Sequence, residues 1–166
     1  MDFRYLYTSF DGRINRKPYW LAGITLGIGL VVLSLIVVVP LAAASPMLGS
    51  LAGLVLMLAS LYPVVALGVK RLHDRGKSGQ LMAVFIAPGL IYQIGNLLGI
   101  TRSAHELAGQ TVMLPNMLGS ILGLLSLAVG IWALVELGIR KGSNGANAFG
   151  PDPLDSPVPQ AGRMAE

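Results

Sequence analysis

From Pro18 to Val69 the chain carries no Asp, Glu, Lys or Arg, an uncharged run of 52 residues. A helix needs about 20 apolar residues to cross a bilayer, so this run is too long for one span and long enough for two. In its middle, Pro40-Leu-Ala-Ala-Ala-Ser-Pro46 supplies two prolines and small residues, where a tight turn between spans is expected. Two further apolar stretches follow. The expected fold is an all-α integral membrane protein with four transmembrane helices, near residues 19–39, 47–69, 81–100 and 117–139. Composition agrees: 54% of residues are hydrophobic and 12% charged, against about 25% charged in soluble domains. The first apolar segment is too long and starts too far in for a cleaved signal peptide.

Charge fixes the expected orientation. Arg4, Arg13, Arg16 and Lys17 precede the first span; Lys70, Arg71, Arg75 and Lys77 follow the second; Arg140, Lys141 and Arg163 follow the fourth. Arg102 alone remains for the opposite side. By the positive-inside rule both termini and the middle loop are cytoplasmic, in a bacterial inner membrane. The high isoelectric point, near 9.7, is then a matter of topology and anionic lipid, and no nucleic-acid partner is required. There is no cysteine, which excludes disulfides, thiolate metal sites and a cysteine nucleophile. No metal or cofactor site is expected.

Shifted by 70 residues, the chain resembles itself. Met47-Leu-Gly-Ser-Leu-Ala-Gly-Leu54 lies over Met117-Leu-Gly-Ser-Ile-Leu-Gly-Leu124, and Leu67-Gly68-Val69-Lys70-Arg71 over Leu137-Gly138-Ile139-Arg140-Lys141, with nine of 25 positions identical between Met47 and Arg71. Either two Leu/Gly-rich helices converged on similar packing, or a two-helix hairpin was duplicated into parallel repeats. Each span also carries a Gly-x-x-x-Gly pair, at Gly23/Gly27, Gly49/Gly53, Gly95/Gly99 and Gly119/Gly123. Close helix packing is expected from them, within the chain or in a homo-oligomer. Pro63 and Pro88 are expected to bend the second and third spans.

Candidate sites lie in two places. Within the apolar spans, Glu136 is the one carboxylate, expected in an interfacial ion pair with Arg140 four residues on. Gln93 and Asn96 share a face of the third span, where they either bond a neighbouring helix or line a polar cavity. Outside the spans, Val69-Lys-Arg-Leu-His-Asp-Arg-Gly-Lys-Ser-Gly79 reads as a phosphate-binding turn. Gly76-Lys77-Ser78 is not a P-loop: Arg71 stands where that motif needs glycine, and a membrane helix precedes it instead of a strand. His73 and Asp74 are adjacent, a poor geometry for a general base and its orienting carboxylate, and no nucleophile accompanies them. Phe3, Leu6, Tyr7 and Phe10 describe a short interfacial helix, Asn15 an N-cap for the first span, and Tyr19 and Trp20 an aromatic belt. The Gly/Pro-rich segment from Gly142 to Pro153 is expected to form turns, and residues 154–166 a disordered cytoplasmic tail.

Three strings at positions 10–20, 69–79 and 145–153, Phe10-Asp-Gly-Arg-Ile-Asn-Arg-Lys-Pro-Tyr-Trp20, Val69–Gly79 and Gly145-Ala-Asn-Ala-Phe-Gly-Pro-Asp-Pro153, together resemble the domain of unknown function 805 family of small bacterial inner-membrane proteins. The resemblance covers nearly the whole chain, as a single domain over 1–153, and implies a membrane protein without an assigned activity. It brings Gly12, Arg13, Arg16, Arg71, His73, Asp74, Gly76, Ser78, Gly79, Asn147, Gly150, Asp152 and Pro153 to one membrane face. Asp74 or Asp152 is expected to pair there with Arg13, Arg16 or Arg71, with Arg75 and Lys77 completing a basic binding surface. The leading expectation is a non-enzymatic module whose basic cytoplasmic face binds anionic phospholipid or a membrane or cytoplasmic protein partner. A small transporter or channel of two hairpins stands second, and an enzyme using His73 and Asp74 third.

Overall fold

The computed structural model describes residues 2–107 and 109–155. A short helix α1 (Phe3–Thr8) is capped by Asp2, whose carboxylate accepts from Tyr5 N–H at 3.0 Å. Helix α2 (Arg16–Ala44) starts at Asn15, whose side-chain oxygen accepts from Lys17 N–H at 3.1 Å, as the sequence leads one to expect. Helix α3 (Pro46–Asp74) returns, and α4 (Leu81–Leu97) follows. An antiparallel hairpin, β1 (Arg102–Leu107) with β2 (Gln110–Pro115), leads into α5 (Met117–Ile139). The chain is a mostly helical membrane protein. Helices α2, α3 and α5 are long and apolar enough to cross a bilayer, and α4, with 17 residues, is shorter.

Three local features depart from the sequence reading. The turn expected across Pro40–Pro46 narrows to Ser45, because α2 runs on through Pro40 to Ala44. A wide π turn at Ser34–Val38 stands just ahead of that proline, and such a turn relieves the clash between the ring and the carbonyl four residues back. Ser45 itself is extended (φ −160, ψ 125), the conformation that a following proline enforces. The helix expected over 81–100 stops at Leu97: Gly99, at φ +73, turns the chain so that Gly99 N–H donates to Asn96 O and Ile100 N–H to Gly95 O. The β-hairpin, in what reads as a bare loop, is the third. The expected tail lies outside the described residues beyond Asp155.

Helix α2 packs on α3 and α4 on α5, so that the chain forms two hairpins. Glycine permits the close approach in each. A Cβ at Gly49 would overlap Ala42, and one at Gly119 would overlap the Thr101 carbonyl. Gly23 and Gly27, by contrast, have open space around them, so the first Gly-x-x-x-Gly packs nothing among the described residues. The buried hydrophobic clusters sit at one end of the bundle. Leu6, Ile14, Ala22 and Leu67 form one, and Val69, Leu72, Met82 and Leu137 the other. Elsewhere the helices present Ile, Leu and Val outward, the surface expected of segments solvated by lipid.

Candidate functional site

The buried end of the bundle is also the basic end, and its centre is a carboxylate. Asp74, in the last turn of α3, takes Arg13 on Oδ1 at 3.2 Å and Arg71 on Oδ2. All three side chains are at most 3% exposed. Removing water from three charges is costly unless every donor finds an acceptor, and the segment after α5 supplies the acceptors. Arg13 donates to the carbonyls of Ser143 (2.8 Å), Gly145 (2.7 Å) and Gly150 (3.2 Å). Ser143 N–H in turn donates to Asp74 O at 2.8 Å. Gly142 passes so close to the Asp74 carboxylate that any Cβ would overlap it. The three strings singled out in the sequence therefore meet in one charge-paired core.

A second set of donors closes the end of α5. The last carbonyls of a helix have no partner within it, yet here four consecutive ones are taken by side chains from other helices. Arg71 Nε donates to Leu137 O at 2.7 Å and Arg71 Nη2 to Arg140 O; Trp20 Nε1 donates to Gly138 O at 3.1 Å and Arg16 Nη1 to Ile139 O at 3.2 Å. Lys70 does the same for α1. Its ammonium, fully buried, donates to the carbonyls of Tyr5 (2.9 Å), Leu6 (2.7 Å) and Ser9, with the Tyr5 ring 4.9 Å away. Burial, helped by the Asp11 charge, holds the Tyr5 phenol above its ordinary pKa.

Glu136 is buried inside this end rather than snorkelling at an interface. Arg140 is 3.4 Å from it as the spacing suggests, and Lys77 (2.6 Å) and Arg75 (3.1 Å) join from the loop after α3. Arg75 Nε and Glu136 Oε1 make no aligned hydrogen bond, so charge alone holds that contact. The π turn Leu134–Ile139 carries Glu136.

In the segment 75–79 two backbone amides serve the end of α3. Gly76, at φ +66, ends α3: its N–H donates to His73 O and Lys77 N–H to Leu72 O, so these amides satisfy the helix. Ser78 and Gly79 lead into α4 through Leu81 N–H to Ser78 O and Met82 N–H to Gly79 O. His73 and Asp74 diverge. The imidazole stacks on Phe149 at 3.9 Å with Nδ1 3.2 Å from Gly12 O, and Asn147 donates to His73 O. Asp152 accepts from Gly145 N–H at 2.9 Å and Leu154 N–H at 3.0 Å, and its pKa is lowered chiefly by the Leu154 bond. It shapes the 145–154 turn and makes no ion pair among the described residues. Gln93 and Asn96 lie at the other end, where Asn96 Oδ1 accepts from Thr101 and Arg102 just after its own helix and, among the described residues, bonds no other helix.

What remains open to solvent is a cleft of about 280 Å³ between the start of α2 and the segment after α5. Asn15, Arg16, Lys141, Asn144 and Asp152 line it, with Arg71 and Asp74 beneath. Among the described residues the ion pairs use Asp74 and Glu136 only, so Arg16, Lys17 and Lys141 have no carboxylate partner. Lys70, Trp20, Gly142 and Ser143 are parts of this end that sequence reasoning did not single out as such. Their roles are contacts made across the fold, and only the Gly142–Gly150 richness in turn formers hinted at a folded segment.

The fold and its basic end define a multi-span α-helical membrane protein closed at one end by a charge-paired core. The chain belongs to the family described as Protein of unknown function (DUF805), whose sequence profile matches residues 7–151. It is 29% identical over 148 residues to the Uncharacterized protein YiiR of Escherichia coli (strain K12), covering 89% of this chain and 87% of that protein. It is 34% identical over 82 residues to the Inner membrane protein YhaI of the same strain, covering 49% of this chain and 65% of that one. No solved structure gives a significant match.

Proposed function

We propose that the chain is a non-enzymatic module of the bacterial inner membrane whose basic face binds the headgroup of an anionic phospholipid. The observation that carries this is the division of its cations. Arg13, Lys70 and Arg71 are consumed by the fold, whereas Arg16 and Lys141, which line an open cleft, and Lys17 next to Arg16 in sequence form no ion pair among the described residues; Asp152 also lines the cleft, but its carboxylate is taken by the Gly145 and Leu154 amides. Cations at that level attract an anionic leaflet by roughly 1 kcal/mol each. The inner-membrane location is supported by the name of the YhaI relative and by the apolar helices. A four-span topology with both ends cytoplasmic accords with the basic residues gathered at one end, and with α4, whose 17 residues rise about 25 Å.

The duplicated-hairpin origin is supported by equivalent glycines in equivalent places. Gly49 and Gly119 each lie against the segment that precedes their own helix, and Gly68 and Gly138 each against the start of a helix of the other hairpin, at Met82 and Trp20. Two such hairpins would suit a small transporter. That reading needs a polar path between the ends, and the buried polar side chains among the described residues gather at the ends: Arg13, Lys70, Arg71, Asp74 and Glu136 at one, Thr101 at the other.

Native mass spectrometry of the protein released from mixed phosphatidylglycerol and phosphatidylcholine tests the proposal. Preferential retention of phosphatidylglycerol is expected, falling by roughly fivefold for each of Arg16→Gln, Lys17→Gln and Lys141→Gln. Equal retention of both lipids, or no change on substitution, would contradict it.

A further inference from the structure

The opposite end of the bundle holds a second polar site with a different wall. A cleft of about 240 Å³ opens between α3 and α4, lined by Leu54 and Met57 on one side, Gln93 and Asn96 on the other, and Arg102 at its mouth. Among the described residues Arg102 is the one Lys or Arg at this end. Its position is firmly set. Thr101 is fully buried, its carbonyl accepts from Asn116 N–H at 3.0 Å, and it sits where a Cβ on either Gly95 or Gly119 would overlap it. Asn96 Oδ1 then takes both Thr101 Oγ1 (2.6 Å) and Arg102 Nε (3.0 Å).

This leaves a set of donors without acceptors. The two terminal guanidinium nitrogens of Arg102, the amide nitrogen of Asn96 and the side-chain amide of Gln93 have no hydrogen-bond partner among the described residues. No Asp or Glu lines the cleft. The nearest carboxylate along the chain, Glu106, accepts instead from Thr111. A guanidinium held by its Nε with both ends of the fork open matches the two oxygens of a carboxylate or phosphate. The cleft is small and accommodates such a head with a few methylenes. Leu54 and Met57 give the rest of the ligand an apolar wall.

We propose that this cleft binds the oxyanion head of a single-chain amphiphile, such as a long-chain carboxylate, with Arg102 as the charged anchor and Gln93 and Asn96 as neutral donors. The proposal does not depend on the phospholipid site at the basic end, which lies at the other end of α3.

Binding of radiolabelled oleate to the full chain in non-ionic detergent, with acetate as competitor, tests it. Saturable oleate binding is expected, with a loss of about tenfold or more in affinity for Arg102→Gln and a smaller loss for Gln93→Leu. Arg102 is exposed, so its substitution should leave the melting temperature unchanged. Should it not, Gln93→Leu, also at an exposed position, carries the test alone. The triple variant Arg16→Gln, Lys17→Gln, Lys141→Gln should bind oleate as the wild type does. Unchanged affinity in Arg102→Gln, unchanged affinity in Gln93→Leu where that variant is decisive, or displacement by acetate at concentrations comparable to oleate, would overturn the proposal.

Discussion

Arg13 and Asp74, 61 positions apart, meet at 3.2 Å with their side chains 1% and 3% exposed. The pair joins the segment before α2 to the end of α3, and Arg13 carries the connection on to the carbonyls after α5. Asp74 also balances Arg71, so one carboxylate compensates two buried guanidiniums.

Asp74→Asn should therefore be among the most damaging single substitutions. It keeps the shape of the side chain beside Gly142 but leaves two buried cations without a counter-charge, a loss of about 3–5 kcal/mol. Thermal unfolding in detergent should show a large drop, and Arg13→Ala combined with Asp74→Asn should cost less than the sum of the two.

Gly142→Ala should destabilise by about 1–3 kcal/mol, because the carboxylate its Cβ would strike is pinned by Arg13 and Arg71 and cannot give way. Gly130→Ala, at a helical position with open space around it, is the matched control and should be neutral or stabilising in the same unfolding assay.

Lys70→Met should detach α1 while leaving the spans in place. The carbonyls of Tyr5, Leu6 and Ser9 lose their common donor, and the buried contact among them, to Leu6 O, costs about 1–3 kcal/mol when left unmade. Hydrogen exchange should show lost protection in residues 3–8 and little change in α4 and α5.

The turn held by Asp152 should respond to acid. The folded-state pKa of this carboxylate lies below its ordinary value of 3.8, because Leu154 N–H and Gly145 N–H donate to it and Arg13 lies near. Its contribution is complete above the unfolded pKa and is lost as pH falls through the lower, folded one. Protection of the Gly145 amide should be constant from neutrality to about pH 4, then decline. Asp152→Asn should remove that dependence.

The membrane class and the helix positions were legible because a charge-free run and cap residues such as Asn15 act locally. So was the gathering of Arg13, Arg71 and Asp74, since charges drawn out of water need partners and the motifs fell on one side. The fate of individual cations was not legible. Lys70-Arg71 and Arg140-Lys141 occupy equivalent places in the repeat, yet the first two are fully buried and the second two exposed. Nothing in local sequence separates them; the difference comes from which helix end each one meets. Glycine and basic residues at a helix end serve a C-cap as readily as a ligand, and in Val69–Gly79 Gly76 serves the cap. The β-hairpin went unread because six-residue strands in a loop carry little periodic signal.

The claim that the cations are divided between the fold and the lipid is tested most directly by the effect of lipid on stability. A ligand that binds only the folded state raises the melting temperature in proportion to its occupancy. Phosphatidylglycerol added to the protein in neutral detergent should raise the melting temperature above that in phosphatidylcholine, and the rise, measured against each protein's own lipid-free melting temperature, should vanish in the Arg16→Gln, Lys17→Gln, Lys141→Gln variant. An equal rise in both proteins would contradict the division.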